Sequence, residues 1–314
     1  LMKHSLDFED LEILVFDEAD RMLSMGFYPD MVQLRRYLPR DRSSYMFSAT
    51  FPPNVLGLAR EFLHEPEFLS LSRDNVHVTD IAHIYYEVPP LDKDRILVRL
   101  IELENPTNAI IFCNTKDRVN YVATVLKRFG YDADQITADL HQKARERVLE
   151  RVRRGTLRFL VATDLAGRGI DIPNLSHVFV YEFPEDPESY IHRAGRTGRA
   201  GATGTAISLV AMTEVGDLER MAKRYGIKME QRPVPTPEEV AQVVGERVTT
   251  MLESKLRNRD RLQIERMNRF MALAKALAES EDELPIIAML IDDYYQQSLH
   301  APAPAVGEAA SGNP

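Results

Sequence analysis

The chain has 314 residues, enough for two globular bodies with buried cores, which excludes a peptide hormone or a disulfide mini-protein. Apolar residues make up 44% and charged residues 28%, the balance of an ordered soluble protein, while the net charge of −9, read alone, argues against a polyanionic partner. The longest apolar run, residues 286–291, is far short of the ~20 residues that cross a bilayer; the single cysteine, Cys113, permits no internal disulfide and no cysteine-rich zinc cage. A reducing, cytoplasmic setting without a membrane partner is expected.

Short apolar runs at residues 13–16, 45–47, 109–113, 159–162, 178–183 and 206–210 predict strands, and the helical patterns between them predict α/β bodies whose parallel sheets are covered on both faces. Residues 116–129 place Val119, Val122, Leu126 and Phe129 on one helical face and stop at Gly130. Asp186 and Pro187 supply a cap and first-turn proline for a helix carrying Tyr190 and His192. The first strand lies close to Leu1, so residues 1–73 read as the C-terminal part of one α/β domain in a chain cut from something longer. Residues 74–90, closed by Pro89 and Pro90, read as a linker, and residues 91–232 as a complete second domain.

Past Arg232 prolines punctuate the chain and only helix is expected. Thr236 with Glu239 forms a capping box. Met267, Phe270, Met271, Ala274 and Leu277, then Leu284, Ile287, Leu290, Ile291 and Tyr294, form apolar stripes over residues 233–300. Such stripes are buried either in a homodimer or against the second domain, and both readings stay open. Residues 301–314, rich in Pro, Ala and Gly, read as a disordered tail.

At the end of the first strand stand Asp17, Glu18 and Asp20. A carboxylate at such an edge can hold Mg²⁺ through water, and a neighbouring acid can orient an attacking water. Ser48 and Thr50 close the next strand, where their hydroxyls can bond a carboxylate on the adjoining strand end. Residues 142–158 hold seven basic and two acidic side chains, a local net of +5. Within them Gln142 and Arg145 lie one helical turn apart and can reach a common phosphate strand. Arg196 and Arg199 sit three apart among glycines, where two guanidinium groups can face a phosphate.

Together these motifs closely resemble the DEAD-box family of RNA helicases. The stretch from Val15 through Asp17-Glu18-Ala19-Asp20 to Phe27 carries the likeness, followed by Phe47-Ser48-Ala49-Thr50, the strand and turn from Ile110 to Thr115, and Gln142 with Arg145. Thr163-Asp164 leading to Arg168-Gly169-Ile170-Asp171 resembles the family's fifth motif, and the run from Tyr190 to Arg199 its sixth. The resemblance spans residues 1–232 and implies RecA-like domains that bind ATP and Mg²⁺ and act on RNA through its backbone, single-stranded or as a short duplex. It assigns catalysis to Glu18, Arg196 and Arg199, the metal to Asp17, and nucleotide contacts to Asp17, Asp171, Arg196 and Arg199. It assigns coupling between domains to Asp20, Ser48, Thr50, His192 and Arg193, the last two through the turn at residues 17–20. RNA contacts fall to Thr115, Gln142, Arg145, Thr163, Arg168 and Gly169. Residues 233–300 resemble, less closely, the helical dimerisation extension of some bacterial cold-shock and degradosome-type members.

Two departures stand out: Thr137-Ala138 precedes Asp139 where the family has His-Gly, and Val152 stands at a place often held by Phe. No Gly-x-x-x-x-Gly-Lys-Ser/Thr loop occurs anywhere in the sequence. The expectation is therefore an ATP-dependent RNA helicase whose phosphate-cradling half is missing, inactive alone, with a non-catalytic RNA-binding and dimerising fragment as the alternative.

Overall fold

The computed structural model describes residues 8–24, 26–48, 51, 53–69, 81–137, 139–164, 175–198 and 203–300. The chain divides into two compact units, Leu1–Asp74 and Asn75–Pro314.

In the first unit β1 (Ile13–Phe16) pairs in parallel with β2 (Ser43–Met46), Ile13 opposite Ser43 and Phe16 opposite Met46. Helices α1 (Ala19–Ser24), α2 (Tyr28–Leu34) and α3 (Pro53–Phe62) complete it. The period-two alternation of a strand turns Phe16 inward onto Val55, Leu58 and Phe62 of α3. The rings of Phe16 and Phe62 meet edge to face with centroids 4.9 Å apart. On the opposite face Ile13, Val15, Tyr45 and Phe47 are each more than half exposed. Among the described residues, α3 packs on the Phe16 face of this sheet.

The second unit is built on a seven-stranded sheet in the order β5-β6-β4-β7-β8-β3-β9, every pairing parallel. Its strands are β3 (Ile81–Glu87), β4 (Ala109–Phe112), β5 (Ala133–Ile136), β6 (Phe159–Ala162), β7 (His177–Val180), β8 (Gly204–Val210) and β9 (Met229–Gln231). The core strands β4 and β6 are buried at every position because helices lie on both faces. Ile110 and Phe112 face Val148 and Val152 of α6 (Gln142–Arg153), Tyr190 of α7 (Pro187–Ala194), and Leu218 and Met221 of α8 (Val215–Tyr225). Ala109 and Ile111 face Leu97 and Leu100 of α4 (Lys93–Glu104) and Val122 and Leu126 of α5 (Lys116–Arg128). Each such fully buried Leu, Ile, Val or Phe contributes ~1.5–3 kcal/mol.

The predicted punctuation is present. Gly130 ends α5 at φ 81°, the left-handed region that favours glycine, and Tyr131 N–H donates to the Leu126 carbonyl at 3.0 Å. The Asp186 side chain accepts the Glu188 N–H at 3.2 Å at the start of α7. Thr236 and Glu239 exchange hydrogen bonds of 2.8 and 3.2 Å in a capping box that opens α9 (Pro237–Arg257). The helices α10 (Arg261–Asn268), α11 (Met271–Glu279) and α12 (Leu284–His300) follow.

Two expectations change. Ile81–Glu87, inside the stretch read as a linker, is β3, an interior strand between β8 and β9. Its neighbours lie more than a hundred residues away, and the prolines after it end a strand rather than mark a tether. The stripe at residues 267–277 is split, because Met267 ends within α10 and Phe270 stands just before α11. The tail 301–314 lies outside the described residues, as does the 74–80 part of the expected linker.

Candidate functional site

At the end of β1 the chain turns sharply, with Asp17 exposed and Asp20 buried. Glu18 adopts φ 51°, an uncommon backbone for a non-glycine residue, and its N–H donates to Asp17 Oδ1 at 2.9 Å. The turn is stitched to the end of β2: Phe47 N–H donates to the Phe16 carbonyl at 2.7 Å and Ala19 N–H to the Phe47 carbonyl at 3.1 Å. Ser48 Oγ accepts the backbone N–H of Asp20 at 3.1 Å, satisfying a donor in the first turn of α1. The hydroxyl after β2 does reach the acidic turn, through its main chain. Thr50 lies outside the described residues.

In the second unit polar groups gather where β4, β6 and β7 end. From β4 the chain crosses to β5 and β6 on one side and to β7 and β8 on the other, so a topological switch point lies between β4 and β7. Arg193 of α7 fills it, 1% exposed. Its Nε and Nη2 donate to Asp164 Oδ1 and Oδ2, both at 2.7 Å. Nη2 also donates to Asn114 Oδ1 at 2.7 Å, and Nη1 to the Glu182 carbonyl at 2.6 Å. One guanidinium therefore ties together the residues that follow three strands. These four bonds all lie inside the second unit. Asn114, Asp164 and Glu182 were not singled out from sequence, although each is a polar residue just past a buried strand.

The neighbours of Arg193 are ordered by the same edge. Thr115 Oγ1 caps α5 by accepting the Arg118 N–H at 3.2 Å, and Arg118 Nε pairs with Glu182 at 3.2 Å. Thr163, half-buried, precedes Asp164 at the end of β6. On α7, His192 Nε2 lies 3.8 Å from Glu188, one turn back. Arg196 follows the helix, with its N–H on the Arg193 carbonyl at 3.1 Å. Thr197 anchors the loop by donating to the Leu175 carbonyl at 2.5 Å. Burial first, and then the charge of Glu182, push the Cys113 thiol far up, so it stays protonated. Lys93, also buried and for that reason lowered, donates to the Leu209 and Tyr181 carbonyls at 2.8 and 3.2 Å and caps two strand ends. Asp171, Arg168, Gly169 and Arg199 lie outside the described residues.

The basic stretch is less uniform than its charge suggests. Arg151 spans Asp132 and Asp134 at 2.7 and 3.1 Å, pinning α6 to the edge strand β5. Arg158 donates to the Pro106 carbonyl at 2.9 Å and to Asn105 at 2.8 Å, and Arg154 pairs with Glu150. Gln142 Nε2 is 2.8 Å from Glu146. Lys143, Arg147 and Arg153 are exposed, and Arg145 is half-buried on the same helix.

These motif positions on parallel α/β units define a helicase-type protein. Residues 1–58 match the family described as DEAD/DEAH box helicase and residues 92–201 the helicase conserved C-terminal domain; the chain belongs to the DEAD-box family. The DEAD-box ATP-dependent RNA helicase CshA of Geobacillus kaustophilus is 38% identical over 288 residues, 90% of this chain and 60% of that protein. Its namesake in Bacillus subtilis is 35% identical over 294 residues, 92% of this chain and 57% of that protein. Among solved structures, S. cerevisiae Dbp5 bound to RNA and ADP BeF3 superposes with a TM-score of 0.68 at 33% identity, covering 78% of this chain and 66% of that one. The chain thus spans about 60% of the length of the first of these curated relatives. No helix among the described residues is long and apolar enough to cross a membrane.

Proposed function

We propose that the chain serves an ATP-dependent RNA helicase of the cytoplasm, coupling RNA-stimulated ATP hydrolysis to local duplex unwinding through two RecA-like units. The observation that carries this reading is the node at the β4/β7 switch point, where Arg193 joins Asn114, Asp164 and Glu182 directly beneath the helix that bears His192 and leads to Arg196. In this reading Asp17 and Glu18 serve the nucleotide from the first unit, while Arg196, Arg199 and Asp171 serve it from the second. Asp17, an exposed hard oxygen donor, fits Mg²⁺ held through water, and that ion would neutralise charge on the phosphates. Glu18 orients the attacking water. Asp20, Ser48, Thr50 and His192 transmit nucleotide state, whereas Arg193 acts by holding the loops. RNA lies along Thr115, Gln142, Arg145, Thr163, Arg168 and Gly169.

Lacking a Gly-Lys phosphate loop in its sequence, the chain by itself binds RNA and turns over no ATP. RNA binding and RNA-stimulated ATPase measured on the chain test this. Single-stranded RNA bound with a steep salt dependence and no turnover is expected; salt-independent binding would overturn the phosphate-contact assignment, and clear turnover the inactivity of the chain.

A second reading concerns the extension. Phe270, Met271, Leu273, Leu284, Met289 and Leu290 are each more than half exposed, an apolar surface suited to a second copy of the chain. We propose that it forms a homodimer.

A further inference from the structure

We propose that Glu102 is the receptor of a clasp that locks the helical extension onto the α/β body of the second unit, so that α9, α12 and the seven-stranded sheet move as one body. The inference does not depend on the ATPase reading. Glu102 sits near the end of α4, and its carboxylate accepts from three segments far apart in sequence. Tyr131, just after α5, donates its hydroxyl. Tyr295 of α12 donates its hydroxyl at 2.6 Å, and Arg247 of α9 donates Nη1 at 3.4 Å. Arg247 also reaches the Glu102 carbonyl with Nη2 at 2.7 Å and the Tyr295 oxygen with Nη1 at 2.7 Å. The side chains of Glu102 and Arg247 are only 14% and 19% exposed, so these bonds form where water competes poorly.

Apolar packing and shape reinforce the clasp. Val248 and Tyr295 are buried beside it, and Val234 packs against the core face of α4 and α5. Arg99 of α4 donates to the Pro235 carbonyl at 3.3 Å, fixing the segment that leads into α9. Gln296, next to Tyr295, lays the end of its side chain on Gly130. Because the donors share one half-buried carboxylate, withdrawing any one weakens the others, and the clasp holds or fails as a unit.

The two open readings of the apolar stripes are thereby reconciled on different surfaces. The end of α12 faces α4 through Tyr295 and Glu102, while α11 and the start of α12 present exposed apolar residues outward. A force or a partner acting on the outward surface is transmitted to the sheet through Glu102.

Hydrogen–deuterium exchange on the full chain, read by mass spectrometry, tests this with Arg247→Met and with Tyr295→Phe, which removes one oxygen and keeps the ring. In each variant the amides at the end of α12 and the middle of α9 should exchange roughly tenfold to hundredfold faster, ~1.4–2.8 kcal/mol at 1.4 kcal/mol per decade. Amides of β4, β6 and β7 should stay protected. The double variant should fall short of the summed single effects, since both residues bond the same carboxylate. Unchanged exchange in α12 for both single variants, fast exchange there in the parent chain, or strict additivity would each overturn the clasp.

Discussion

Arg193 holds both oxygens of the Asp164 carboxylate at 2.7 Å, in the parallel fork geometry open to a guanidinium and closed to an ammonium group. The pair closes over the ring of Phe112, with the guanidinium carbon 5.6 Å from its centroid. The charge of Arg193 is therefore balanced within its own unit, and α7 is held rigidly on the edge from which Arg196 departs.

Replacing either partner should be costly. Asp164→Ala and Arg193→Met should each lower the stability of the second unit by about 2–4 kcal/mol, less than the ~3–5 kcal/mol of a fully buried pair because Asp164 is 24% exposed. Urea unfolding followed by circular dichroism measures it. A loss below about 1 kcal/mol would show that the fork is dispensable.

The arginines of α6 should separate into two kinds. Arg147→Ala should leave the melting temperature unchanged and reduce the salt slope of single-stranded RNA binding by ~0.7, the share of one phosphate contact. Arg151→Ala, which removes the bridge from α6 to Asp132 and Asp134, should lower the melting temperature with little change in slope. Fluorescence anisotropy across a salt series, beside thermal melts, reads both quantities.

Alkaline pH should weaken the second unit. Burial, then the hydrogen bond to Glu102 and its charge, push the Tyr295 hydroxyl up to about 12. In the unfolded chain a tyrosine ionises near ~10. Between these values the unfolded state has released a proton that the folded state still holds, so stability falls as pH rises from about 10 to 12. Urea midpoints measured over that range should decline less steeply in Tyr295→Phe than in the parent chain.

The oligomer should depend on the outward apolar surface. Leu290→Asp and Met289→Asp place a charge among exposed apolar side chains without touching the clasp, and each should convert a dimer to monomer in sedimentation velocity. A parent chain that sediments as a monomer at tens of micromolar would reject the dimer.

Much of the second unit was legible because its signals are local. The spacing of Val119, Val122 and Leu126, the stop at Gly130, the Asp186-Pro187 start and the Thr236 cap all act within a few residues, and each element formed where they point. β3 was missed because its partners are supplied by Gly204–Val210 and Met229–Gln231, far along the chain. β5 was missed for another reason: as an edge strand it carries Asp134 and Gln135, which interrupt the apolar run that marks an interior strand. At the candidate site the residue types were readable and their direction was not. Nothing adjacent to Arg193 announces that its acceptors follow β4, β6 and β7, and nothing near Arg151 announces that its charge is spent on β5.

Cys113, the chain's single thiol, is fully enclosed and held protonated by burial. Maleimide and methanethiosulfonate reagents will therefore find no background target on the folded molecule. One cysteine introduced on the outward side of α11 and another beside Arg147 would accept spin labels or fluorophores directly, with no need to strip out a native sulfur first. Distances between the extension and the basic helix are thus accessible to pulsed spectroscopy on an otherwise unaltered sequence.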